Sequence, residues 1–543
     1  MSAGLDVVLE GGELIDGTGS PPRRADVGIA GDRIAAVGDL RAASPRRTVG
    51  CAGQIVAPGF IDVHSHSDVS CVLHPQGASS LRQGITTEIV GNCGYSLGPM
   101  GPGSREALVD RLLGRCLGPG SGDLVDWSWS TVPEFMETLA RRGTGTNKAI
   151  LIGQGSVRAA VMGSRREPAT ADELGRMRRL LREGLEAGAV GMSTGLEYRP
   201  GCYAETDEVV ALTRELGDFD GIYVSHMRNE SDRVAEAVEE LLEIGRRSGQ
   251  RVHVSHHNVV GRRNRGRLTA TVARVEAARR GGIDVTLDFL HFHPYYHPHR
   301  LDELLPPELG ELPFPEMRAR LVCPETREQV RQAFLSGWVC NLELTYPGAD
   351  WDYNVLEAPG LDLPEHASIA EQAELAGVRP LDFAMDLIRR ATGPIIVSRV
   401  IAPEDVRAVL GSPLVLTGTD TYALDRPLDP TMVLHPRNYA AYPRFLARHV
   451  REQKLMPLHE AVWRMTGYPA DRFRIPDRGR VAEGLAADLV VFDPARIEDV
   501  ATLTDPYRGC RGIAHVFVNG VEVVTADRVT DARPGRILQR RTT

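Results

Sequence analysis

Eight short apolar runs recur along the middle of this 543-residue chain, and amphipathic stretches separate them. The runs are Phe60–His64, Ile85–Val90, Ala149–Ile152, Ala189–Met192, Ile222–Val224, Arg251–Val254, Ile283–Leu287 and Leu414–Leu416. Helical periodicity fills stretches such as Ala171–Ala187, Asp232–Arg247 and Thr269–Arg280. Strand and helix alternating this many times predict a parallel α/β fold, and eight strands is the number that closes a (β/α)8 TIM barrel. The barrel is expected over 58–474, with an insertion at 291–390 between strands seven and eight, where Pro, His and charge break the rhythm. Residues 1–57 and 475–543 alternate apolar and polar positions between glycines, as small antiparallel strands do. Each cluster alone is too small to bury a core, so the two chain ends are expected to pair into one small β-sandwich.

Composition narrows the function. A net charge of −9 gives no electrostatic support for nucleic-acid binding. No apolar stretch has the length of a membrane span, and the first residues lack a leader pattern, so a cytoplasmic protein is expected. The eight cysteines have no paired spacing, which argues against a disulfide framework. Nearly all basic residues are Arg; the only lysines are Lys148 and Lys454.

In a barrel of this kind the active site lies at the C-terminal strand ends. Strand one ends in His64-Ser65-His66, and alternate residues on a strand point to one face, so two imidazoles project together. Strand two runs into Gly91-Asn92-Cys93-Gly94. Strands five and six end at His226 and at His256-His257. Strand eight ends in Thr419-Asp420. Imidazole, thiolate and carboxylate thus converge on one rim, and these are the preferred ligands of zinc. A metal there would bring bound water towards a pKa of ~7, and a carboxylate would move its proton to a leaving nitrogen. Asp420 is the candidate for that catalytic role and can also touch the metal.

The Phe60–Asp68 segment, Gly91–Gly94, Gly191–Tyr198, Ser225–Glu230, Ser255-His256, His435–Tyr439 and Gly484–Pro494 resemble the N-acyl-D-amino-acid deacylases, or D-aminoacylases, of the amidohydrolase superfamily. The motifs are ordered and cover nearly the whole chain except the insertion. The resemblance implies one tightly held Zn2+ on Cys93, His226 and His256. It implies an adjoining site on His64, His66 and Asp420, empty or weakly filled, with Cys93 between the two. Many relatives in the superfamily bridge two metals with a carboxylated lysine. Here Lys148 is expected to precede its strand, at the wrong end of the barrel, and Lys454 to lie on a late helical stretch, so Cys93 is the expected anionic bridge. The resemblance also implies a small amide substrate bearing a carboxylate, held by Tyr198 and Arg437.

Several residues depart from the family pattern. Asn258 stands where the family carries a carboxylate-binding lysine, beside His257. Thr421 replaces a glycine, and Gly153-Gln154-Gly155 replaces Gly-His-Gly. The segment after strand seven is rich in histidine, and His291 and His293 are read there as pocket donors. The leading expectation is a zinc-dependent hydrolase of a linear C–N amide bond. A cyclic-amide hydrolase like dihydroorotases or hydantoinases, and a non-catalytic protein on the same barrel, are the alternatives. Assembly into a homo-oligomer is left open.

Overall fold

The computed structural model describes residues 4–102, 104, 113, 117, 121–259, 264–290, 295–310, 312–335, 351, 354–357, 368–390, 396–400, 403–424, 435–502 and 505–540. Eight strands follow one another in chain order and pair in parallel: Phe60–Asp62, Ile85–Val90, Asn147–Gly153, Gly191–Gly195, Ile222–His226, Arg251–Val254, Val285–Leu290 and Val415–Gly418. Strand eight returns to strand one through a Val63 N–H to Thr417 carbonyl bond of 3.3 Å and an Asp420 N–H to His64 carbonyl bond of 2.7 Å. The TIM barrel is therefore present, with every apolar run of the sequence forming a strand.

Inside it, Ile61, Val63, Ile89, Leu151, Val224 and Leu416 form one buried cluster with Phe473 and Ile475, which close the bottom. A packed interior leaves the strand C-termini as the place where polar side chains can gather. The intervening helices Ala171–Glu186, Val234–Ser248 and Arg267–Arg280 bury their apolar faces on the outside. The first starts with a capping box, in which Thr170 and Glu173 satisfy each other's backbone N–H.

Both termini contribute to one β unit. Strand Leu489–Phe492 pairs antiparallel with Ile55–Pro58 inside a seven-stranded sheet. A four-stranded sheet made of Arg33–Gly38, Asp26–Ala30, Val7–Glu10 and Arg47–Gly50 accompanies it. Leu9, Val27, Ile34, Val56, Leu489 and Phe517 share a core between the two sheets. Two details differ from expectation. The late strand Ile537–Leu538 leaves this unit and pairs with barrel strand three. The excursion between strands seven and eight runs past 390, because Ile396–Val400 pairs with both Tyr295–Arg300 and Asn354–Glu357. That excursion has its own core, including Leu301, Leu305, Val330, Ile369 and Leu387. No helix among the described residues is long and apolar enough to cross a membrane.

Candidate metal centre

The strand ends bring the expected donors together. His64, His66, Cys93 and Asp420 offer atoms that all lie within 4.8 Å of one another, and so do Cys93, His226 and His256. Cys93 belongs to both groups. Its Sγ is 3.2 Å from His64 Nε2, 3.5 Å from His256 Nε2 and 3.9 Å from His226 Nδ1. Asp420 Oδ1 is 3.0 Å from His66 Nε2 and 3.7 Å from His64 Nε2. All six residues are buried.

This donor set fits a transition-metal cation. Ligands around a tetrahedral zinc sit about 3.4–3.6 Å apart, given the usual Zn–N and Zn–S bond lengths. The Cys93 separations bracket that spacing. The His226 Nδ1 to His256 Nε2 distance, 2.7 Å, is closer than shared coordination would hold them.

Each of three imidazoles turns its other nitrogen towards a carboxylate. His226 Nε2 lies 2.9 Å from Glu197, His256 Nδ1 lies 2.9 Å from Glu230, and His64 Nδ1 lies 3.4 Å from Asp288. Such partners fix the ring orientation and raise ligand basicity. Burial disfavours a charge on Asp288, yet the imidazoles of His64 and His253 hold its carboxyl well below the usual range. Burial keeps His66 below its ordinary value despite Asp420 beside it. Asp62 ties strand one to strand eight: its Oδ1 accepts from the N–H groups of His64 at 3.1 Å and Thr419 at 3.0 Å.

A family model for the amidohydrolases matches residues 47–312 and 354–524. The chain belongs to the amidohydrolase family. Two relatives come from Alcaligenes xylosoxydans xylosoxydans. A D-aminoacylase is 34% identical over 99% of this chain and 98% of its own length, and an N-acyl-D-glutamate deacylase is 36% identical over the same shares. Two solved structures are as similar in three dimensions. One is a D-aminoacylase with a binuclear metal centre, described as having one-metal activation and second-metal attenuation; it is 33% identical, with a TM-score of 0.79 over 99% of this chain and 100% of that one. The other is the N-acyl-D-glutamate deacylase of Bordetella bronchiseptica, complexed with zinc and a phosphonate mimic of the tetrahedral intermediate. It is 34% identical, with a TM-score of 0.79 over the same shares.

The remaining expected site residues of this amidohydrolase divide. Tyr198 sits by the centre, its ring centroid 4.4 Å from that of His226 and stacked on Tyr95 at 5.8 Å. Arg437 is buried and places Nη2 3.0 Å from Asp420 Oδ2, so it touches the carboxylate expected to do the chemistry. Asn258 is buried and donates to the His256 carbonyl at 3.0 Å. His257 is a correction. Its ring turns to Thr271 on the helix outside the barrel, with Nε2 2.9 Å from that hydroxyl, so it does not line the site. The strand ends at Val254, and the turn that follows, with His256 at a φ of 31°, aims His256 rather than His257 at the site. His291 and His293 lie outside the described residues. Lys148 is also corrected: it is inside strand three rather than before it, because Glu88 on strand two neutralises it. Sequence reasoning did not assign Glu197, Glu230 and Asp288. Two lie in the family motifs and the third lies within strand seven, and no spacing in the sequence pairs any of them with its histidine.

Proposed function

We propose that this amidohydrolase removes the acyl group from an N-acyl-D-amino acid, using Zn2+ held by Cys93, His226 and His256, with a second, weaker site at His64, His66 and Asp420. The observation that carries the reading is the pair of donor groups sharing Cys93. Its likeness along the full chain to deacylases of N-acyl-D-amino acids supports the substrate class. Bound there, the metal supplies Lewis acidity, which lowers the pKa of water and polarises the amide carbonyl. Asp420 takes the proton from the attacking water and delivers it to the leaving nitrogen. Arg437 and Tyr198 hold the substrate carboxylate, the guanidinium through its planar fork. We further infer a cytoplasmic enzyme: the six described cysteines are all unbridged, which suits a reducing compartment.

The test is a panel of N-acyl-D-amino acids, their L-enantiomers and cyclic ureides, run with zinc-loaded and chelator-stripped protein. Turnover is expected for the linear D-enantiomers only, lost on stripping and restored by zinc. Asp420→Asn should lower kcat by about a thousandfold or more, as loss of a proton-transfer group does. Activity confined to cyclic ureides, or untouched by stripping, would overturn the proposal.

A further inference from the structure

One of the two lysines in the sequence is sunk under the metal loops. Lys148, on strand three, pairs in register with Glu88 on strand two, and their side chains are 2% and 0% exposed. Their neighbours Ile89 and Ala149 face the barrel interior, so the pair lies on its outer surface. Glu88 collects hydroxyls as well as the ammonium. Its Oε1 accepts from Ser65 at 2.9 Å, Ser67 at 2.6 Å and Ser80 at 3.2 Å. Its Oε2 accepts from Thr146 at 2.5 Å and from Lys148, which also donates to the Thr146 hydroxyl at 2.7 Å.

Ser65 and Ser67 flank His66. The Ser67 hydroxyl also accepts the Ala423 N–H at 2.9 Å, and the Thr421 carbonyl accepts the His66 N–H at 2.8 Å. One buried anion therefore holds two segments, the one carrying His66 and the one carrying Asp420. The two histidines of the other donor group are held elsewhere. Glu197 and Glu230 back His226 and His256, and Ser193 accepts the N–H of Gly94 next to Cys93 at 3.0 Å.

We propose that Glu88 and Lys148 form a clasp that positions the His66–Asp420 half of the centre. The clasp sets the affinity of the second metal site. These are positioning residues: they touch neither metal nor substrate. The inference rests on the two-site reading above.

Ser67→Ala removes the hydroxyl that Glu88 and Ala423 share and leaves the Glu88–Lys148 pair intact. Metal-free wild type and variant are titrated with Co2+, following the visible spectrum and bound metal per protein molecule, with melting temperature as the check on folding. Two uptake steps are expected in wild type. In Ser67→Ala the first should stay within twofold and the second weaken tenfold or more. Ser67→Thr should restore the second step. An unchanged second step, or equal weakening of both steps in a folded variant, would overturn the clasp while leaving the two-site reading standing. A wild-type protein that takes up one ion or none would overturn the two-site reading as well, which separates the two failures.

Discussion

At the scale of single residues, the centre is built on backbone that ordinary side chains avoid. Cys93, His256 and Asp420 have φ of 52°, 31° and 51°. Non-glycine residues in that region cost of order 1–3 kcal/mol each and persist where the surroundings over-determine them. Here the strands do so, and each turn aims its donor inward. Gly418 shows how little room remains: an added Cβ would lie 2.7 Å from His64 Cβ and 2.8 Å from Asp288 Oδ1. Gly418→Ala should therefore displace His64 or its carboxylate partner. We expect about 1–3 kcal/mol of lost stability and a weaker second metal, read by melting and metal titration; a variant matching wild type in both would refute the crowding. Glu230→Gln tests the other half. It removes the charge facing His256 Nδ1, and tight-site affinity should fall about 10–100-fold with the fold intact. The donors were legible in the sequence because each stands at a strand end, a position that topology fixes. Their backing carboxylates were not, because nothing in spacing says which acid meets which imidazole. His257 was misread because a left-handed turn at His256, beyond the end of the strand, decides which of the two histidines faces the site.

At the scale of elements, the apolar runs marked the strands well, and the exception is informative. Strand three begins at Asn147, with polar residues that look like a boundary. Lys148 can sit in the strand because Glu88 is its registered partner, a fact that needs the neighbouring strand. Removing one member of a buried pair leaves an uncompensated charge and costs about 3–5 kcal/mol. Glu88→Gln and Lys148→Met should each lose that order of stability, and the double variant much less than their sum. The pair also predicts a pH dependence. Burial disfavours the Glu88 charge, but Lys148 and the hydroxyls hold its carboxyl below the ordinary value of 4.5. The folded protein thus releases that proton more readily than the unfolded one. The stabilisation is complete above 4.5 and drains away as pH falls through the folded value. Melting temperature measured down to about pH 3 should decline less steeply in the double variant; parallel curves would deny Glu88 this role.

At the scale of the whole molecule, alternating patterns at both ends pointed to a shared β unit, but not to how the ends reach the barrel. The first half of strand three pairs with strand two, while strand four starts only opposite Leu151. That stagger leaves the Lys148–Ala149 edge open on one side. Ile537–Leu538 fills it in parallel register, with a Lys148 N–H to Arg536 carbonyl bond of 2.9 Å and a Gly535 N–H to Thr144 carbonyl bond of 2.7 Å. Leu538 joins the interior cluster of the barrel. A barrel strand completed by a residue from the far end of the sequence has no local signature. Removing residues 533–543 should expose a buried leucine site, worth about 1.5–3 kcal/mol. It should also strip a partner from the Lys148 N–H, at about 1–3 kcal/mol. Because that N–H belongs to the residue paired with Glu88, the loss should reach the metal loops too. The truncated protein should melt several degrees lower and take up the second metal more weakly than wild type does. A truncated protein with wild-type melting and wild-type uptake would mean that the tail merely rests on the barrel.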